Sequence, residues 1–183
     1  MNMKQNYLLL IGLIMAVLVI SGCTSPEPSN NTDNQTTTNE TSTNNDLTPD
    51  SVKSVVGGSL GDIKNVTIKG GVVTITYDLG FVNNQDDVIF VSSERAIRVL
   101  PKLFEDNDKI KTVRLIATEG DTGNDAVRMT VKRSTANRID WDEADDDLTS
   151  DRASFFSLVD SYQIRPAIYG GLTLKLRHGM EKT

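Results

Sequence analysis

Apolar and polar residues follow three regimes along this chain. Leu8 to Ile20 is a run of thirteen residues without a polar side chain, and Thr24 to Asp46 contains no Leu, Ile, Val, Met or aromatic residue. From Leu47 onward the two kinds alternate with the periods of helices and strands. "LTPDSVKSVVGG" predicts a helix with Thr48 as N-cap, Pro49 at the first helical position, Asp50 in the first turn and Val52, Val55 and Val56 on one face. Gly57-Gly58 ends or weakens it. "NVTIKGGVVTITYDLG" predicts a hairpin on the two-residue loop Gly70-Gly71, whose glycines suit a type I′ turn. That loop sets Ile68 opposite Val73 and Val66 opposite Ile75, with Asn65, Thr67, Lys69 and Thr74 on the other side.

"DDVIFVSSERAIRVLPKLFED" predicts a helix from Asp87 to Glu105, with Ile89, Ala96, Ile97, Leu100, Leu103 and Phe104 as its stripe. Pro101 should kink or split it. An open alternative makes "VIFV" a strand and caps a shorter helix with Ser92 or Ser93. Two further strands follow, with Val113, Leu115 and Ala117 alternating in one and Val127, Met129 and Val131 in the other, joined by "EGDTGN". "STANRIDW" predicts a short helix. "SDRASFFSLVDSYQI" predicts a longer one, capped by Ser150 and burying Phe155, Leu158, Val159 and Tyr162. "YGGLTLKLRHGMEKT" reads as a strand through Leu172, Leu174 and Leu176 or as a loose tail. The order is α-ββ-α-ββ-α, an α+β fold in which two antiparallel hairpins share one sheet packed by helices. The globular domain is expected over 47–169, with 170–183 as the strand or tail.

The first regime has the length of a secretory apolar segment, roughly 7–15 residues, and is too short to span a hydrocarbon core of about 30 Å. It ends in "ISGC", Ile20-Ser21-Gly22-Cys23, which resembles the lipobox of prokaryotic lipoproteins, with isoleucine where leucine is more usual. The resemblance implies that residues 1–22 are a signal peptide and that Cys23 carries a lipid and becomes the mature N-terminus. It places the protein on the outer face of the cytoplasmic membrane. Cys23 is the only cysteine, so no intramolecular disulfide can form, and lipidation accounts for the lone thiol. Two acyl chains anchor stably where one does not.

Residues 23–46 then read as a disordered Thr/Asn-rich stalk, because they cannot bury enough apolar surface to offset ordering. Asn30, Asn34 and Asn39 in the stalk, and Asn65 beyond it, head N-x-[ST] sequons and are candidate glycosylation sites. The globular part, through "TITYDLG", "RIDWDEAD" and "LVDSYQIRPAI", resembles uncharacterised surface lipoproteins of Gram-positive bacteria and archaea over residues 47–168. That resemblance brings no activity with it.

The formal charge is −6, which disfavours a nucleic-acid partner. His178 is the only histidine, so neither a catalytic triad nor a histidine-based metal site can be built around it. "DWDEADDD", Asp140 to Asp147, concentrates carboxylates but lacks the glycine and closing glutamate of an EF-hand. It reads as a solvated loop or helix N-terminus, with Trp141 at the core edge. "EGDTGND" reads as a polar hairpin turn.

Arg128, Lys132 and Arg133 share one strand with Arg114 on its neighbour. This basic sheet face could meet an anionic partner or pair internally. No catalytic residue, cofactor or metal ligand emerges. The expected function is therefore a lipid-anchored binding or envelope-structural module, not an enzyme, with an envelope protein or glycan as partner. The alternative is an extracytoplasmic hydrolase using paired carboxylates.

Overall fold

The computed structural model describes residues 46–120 and 122–181. Cys23, Asn30, Asn34, Asn39, the proposed signal peptide and all of the proposed stalk except Asp46 lie outside them. The first helix, α1 (Pro49–Val56), opens as its sequence requires: the Thr48 hydroxyl accepts from the Ser51 N–H at 3.1 Å, and the Ser51 hydroxyl accepts from the Thr48 N–H at 3.0 Å. Gly57, at φ +50°, ends it. A short 3-10 turn leads into strand β1 (Ile63–Lys69), which pairs antiparallel with β2 (Val72–Asp78). Ile68 lies opposite Val73 and Val66 opposite Ile75. Gly70 and Gly71 have φ of +60° and +81°, and a Cβ on Gly71 would stand 2.9 Å from the Lys109 carbonyl oxygen.

Helix α2 (Gln85–Asp106) is one element that runs through Pro101. Asn84 caps it by accepting from the Asp87 N–H at 3.0 Å. Ser92 and Ser93 do not cap a shorter helix, as the open alternative had it. They are fully buried in the middle of α2, and the Ser92 hydroxyl donates to the Val88 carbonyl at 2.6 Å. Parallel strands need a crossover, and α2 supplies it between β2 and β3 (Thr112–Thr118). Strand β4 (Asp125–Lys132) returns antiparallel to β3.

Two expectations fail beyond β4. The stretch 150–164 is not a helix: Ser154–Ser157 makes one 3-10 turn, and Ser161–Ile164 forms β5, antiparallel to β4. Nor is the C-terminus a strand or tail. Between β4 and β5 lie α3 (Arg133–Ala136) and α4 (Trp141–Ser150), and after β5 come α5 (Pro166–Gly171) and α6 (Leu174–Glu181). Leu172, Leu176 and Met180 are buried, so 170–181 belongs to the domain, while Leu174 is exposed. The two predicted hairpins do share one mixed sheet, of order β1-β2-β3-β4-β5.

Cross-strand rows define the two sheet faces. Val66, Ile75, Leu115, Met129 and Tyr162 form one row on the helix side, and Ile68, Val73, Val113 and Val131 form another. The core is this face with the inward sides of α1, α2, α4 and α6 against it.

Candidate functional site

The opposite face of the sheet carries the candidate site. Side chains alternate along a strand, so each buried row alternates with an outward one. One outward row runs Thr67, Thr74, Arg114, Thr130, Ser161 across all the strands, and the next runs Thr76, Ile116, Arg128, Gln163 after Asn65. Lys69 and Lys132 end a third row through Val72 and Thr112. Thr67, Arg114, Arg128, Ser161 and Gln163 are all exposed. No helix of the described residues covers this face.

The cations on it differ in their partners. The Arg128 Nε donates to Asp125 Oδ2 at 2.7 Å, and its Nη2 reaches the same oxygen. Lys132 Nζ lies 3.4 Å from Asp160 Oδ1. Arg114 has no hydrogen-bond or ion-pair partner among the described residues. Its neighbours across the ladder are the neutral Thr74 and Thr130.

Arg133 does not belong to the face, contrary to its expected place on the strand. It begins α3 and turns inward to the carbonyls of Phe104, Asn107 and Ile110. A depression of about 460 Å³ lies over β3–β5, floored by Arg114, Ile116, Arg128, Thr130, Ser161 and Gln163. A second, of about 420 Å³, continues from Arg128 and Gln163 to Arg165 and Pro166. Arg165 is paired with Glu119 through Nη2, and its Nε is buried without a hydrogen-bond partner.

The outward rows carry hydroxyls, an amide and cations, groups that can hydrogen-bond and pair with an anion. Two carboxylates pair with these cations, Asp125 with Arg128 and Asp160 with Lys132. Acid/base chemistry needs two carboxylates with split pKa values across a cleft. Among the described residues, Asp78 and Glu119 do line one depression of about 520 Å³, at the carboxyl ends of β2 and β3. Both are already engaged, Asp78 by the Gly80 N–H at 2.8 Å and Lys64 at 3.2 Å, and Glu119 by Arg165. The Gly80 N–H, with Lys64 after it, holds the Asp78 carboxyl below the usual carboxylate range, the wrong direction for a general acid.

The other sequence candidates are scattered. The acid run forms α4, with Asp140 as N-cap accepting from the Asp142 and Glu143 N–H groups at 3.2 and 3.1 Å. Among the described residues no cluster of three or more His, Cys, Asp or Glu could hold a metal ion. Trp141 packs half-buried at the core edge beside Pro101 and Phe104. His178 is exposed on α6, and between β3 and β4 the Gly123 N–H donates to the Glu119 carbonyl at 2.7 Å. Asn65 is exposed on the edge strand β1, on the same side as Arg114.

Two arginines were not singled out by sequence. Arg95 donates to the carbonyls of Leu60, Asp78 and Leu79 at 2.9, 2.8 and 3.1 Å, and Arg165 pairs with Glu119. Nothing in the local pattern separates a half-buried arginine from a surface one.

Among the described residues no helix is long and apolar enough to cross a membrane. Comparison of the chain with family models, with curated proteins and with solved structures gives no match.

Proposed function

We propose that this chain is a lipid-anchored extracytoplasmic binding module whose bare sheet face meets an anionic ligand of the cell envelope. One observation supports the reading: Arg114 stands exposed on the central strand of a sheet face that no described helix covers, with no ion-pair partner among the described residues, within a protein of net charge −6. An acidic chain has carboxylates to spare for internal pairing, so a free guanidinium beside Arg128 supports a ligand that supplies the missing charge. The anchor rests on the apolar run Leu8–Ile20 followed by Ser21-Gly22-Cys23. The polar stretch 24–46 is the tether that would hold the domain clear of the lipid.

The test has two arms. Mass analysis of membrane-extracted protein should show a chain beginning at a lipid-bearing Cys23, and Cys23→Ser should abolish membrane retention. A photo-crosslinking residue at Thr130 should capture an envelope component that one at Lys175, on α6, does not. An unlipidated chain rejects the anchor, and equal capture from both positions rejects the sheet face as the binding surface.

A further inference from the structure

Resting on that reading, we infer that the ligand of the bare sheet face is a linear acidic polysaccharide. Its carboxylates would sit on Arg114 and Arg128 and its hydroxyls on the neutral side chains between and around them.

The first observation is the composition of the face. Beside Arg114 and Arg128, the outward rows carry Thr67, Thr74, Thr76, Thr130, Ser161 and Gln163. Hydroxyls and amides both donate and accept, which is what sugar hydroxyls require. The guanidinium fork fits a carboxylate through two parallel bonds.

Spacing is the second. Arg114 lies opposite Thr130 and Arg128 opposite Ile116, so the two arginines are diagonal neighbours on adjacent strands. Diagonal Cβ atoms stand somewhat closer than about 7–8 Å, which lets the two side chains take separate carboxylates of one chain, Arg114 through its whole fork and Arg128 through the nitrogen that Asp125 does not hold. Ile116 is half-buried in the same row as Arg128 and offers apolar surface to the C–H side of a sugar ring.

Shape is the third. The depression is an open trough continuous with the one beside Arg165, which suits a chain laid along it better than an enclosed small anion.

Other occupants fit less well. A second copy of this chain would set basic face against basic face. Single-stranded nucleic acid is held by aromatic stacking, and the outward rows contain no aromatic residue. An extended peptide pairs with a strand edge rather than a sheet face, and its carboxylates would leave the hydroxyl rows without partners.

The experiment uses the full chain purified in detergent, with polygalacturonate, dextran, polyglutamate and single-stranded DNA as immobilised probes at low and moderate salt. Polygalacturonate should bind, weaken with added salt, and exceed the other three probes by tenfold or more. Arg114→Gln should lower that binding at least tenfold with an unchanged melting temperature, because its guanidinium makes no hydrogen bond or ion pair with the described residues. Arg114→Lys should recover part of it, and Lys175→Gln should change nothing. Arg128→Gln also releases Asp125, so Arg114→Gln is the deciding variant.

Failure of polygalacturonate to bind, indifference to Arg114→Gln, or equal binding to polyglutamate or DNA overturns the inference. If polygalacturonate fails while the Thr130 crosslink to the envelope persists, only the polysaccharide is wrong. Loss of both overturns the binding-face reading as well.

Discussion

The Arg133 Nη1 donates to the carbonyl of Phe104 at 2.8 Å, tying the start of α3 to the end of a helix far back in the chain. Helix α2 has no basic residue in its own last turn, and its terminal carbonyls need donors. Arg133 supplies two, on Phe104 and, through Nη2, on Asn107 at 2.6 Å, and its Nε reaches on to the Ile110 carbonyl beyond the helix at 2.8 Å, while its guanidinium lies 5.2 Å over the Phe104 ring. Arg133→Ala should cost about 3 kcal/mol, and Arg133→Lys about 2 kcal/mol because an ammonium cannot span the three carbonyls. Denaturant unfolding measures both, and a midpoint unmoved in Arg133→Ala would show that the contact carries no stability. Binding through the sheet face should be unaffected.

The hairpin tip makes a sharper contrast between adjacent residues. Gly70 has φ +60° with open space where a Cβ would go, whereas Gly71 has φ +81° and the Lys109 carbonyl in the way. That carbonyl is backbone and cannot swing aside. Gly70→Ala should cost about 1–2 kcal/mol, the usual penalty of the left-handed region, and Gly70→Asn close to nothing. Gly71→Ala should cost about 2–4 kcal/mol, since strain adds to the same penalty. Equal losses at the two positions would mean that the Lys109 contact is absent in solution.

Two carboxylates should govern acid stability. Asp78 is held below its ordinary pKa first by the Gly80 N–H and then by Lys64. Burial works against Asp160, but the Lys132 N–H at 2.7 Å, the Thr135 hydroxyl and the Lys132 ammonium outweigh it, so its pKa is also lowered. Each group ionises more readily in the folded chain than in the unfolded one. Their contribution is therefore complete above the unfolded value of about 3.9 and is lost as pH falls through the lower folded values. The melting temperature should hold between pH 7 and 5 and drop below about pH 4. Asp78→Asn and Asp160→Asn should each flatten that drop, and unchanged steepness in both would assign acid unfolding to other groups.

Helix α4 carries its acids through to the C-terminal end, with no basic residue in its last turn. Asp147→Lys should stabilise the fold by about 0.5–1 kcal/mol by reversing an unfavourable charge at the negative end of the helix dipole. Asp140→Ala should destabilise it by about 1 kcal/mol through loss of the N-cap.

Millimolar Ca²⁺ should barely move the melting temperature, because the carboxylates project around a helix instead of converging. A site saturated a hundredfold over its Kd would add about 2.7 kcal/mol, a shift of several degrees. Such a shift, abolished by Asp145→Asn with Asp146→Asn, would reveal a site that the helix geometry does not suggest.

The sequence by itself determined the elements whose partners lie close along the chain. Thr48 and Pro49 start α1 where they stand, and the two-residue loop Gly70-Gly71 leaves one register for β1 and β2. The stripe from Ile89 to Phe104 is long enough to outvote Pro101. Even the basic face was legible as alternation, because Arg114, Arg128 and Lys132 fall opposite Val113, Val127 and Val131 in phase.

Tertiary structure decided what depends on which edges and faces remain unoccupied. Ser161-Tyr162-Gln163-Ile164 becomes a strand because the free edge of β4 accepts it, with Met129 opposite Tyr162, a partner far back in the chain. With that edge taken, the alternation of Leu172, Leu174 and Leu176 has no strand to join beside β4. The competing spacing of Leu172, Leu176 and Met180 wins, and buries all three. Arg133 stands one residue past the end of β4, and the carbonyls at the end of α2 draw it inward. Arg114 stays outside, with no ion-pair partner among the described residues, because the described helices that pack on the sheet lie on the other side. Local spacing sets which side chains share a face, but only the packed chain determines which face is left bare.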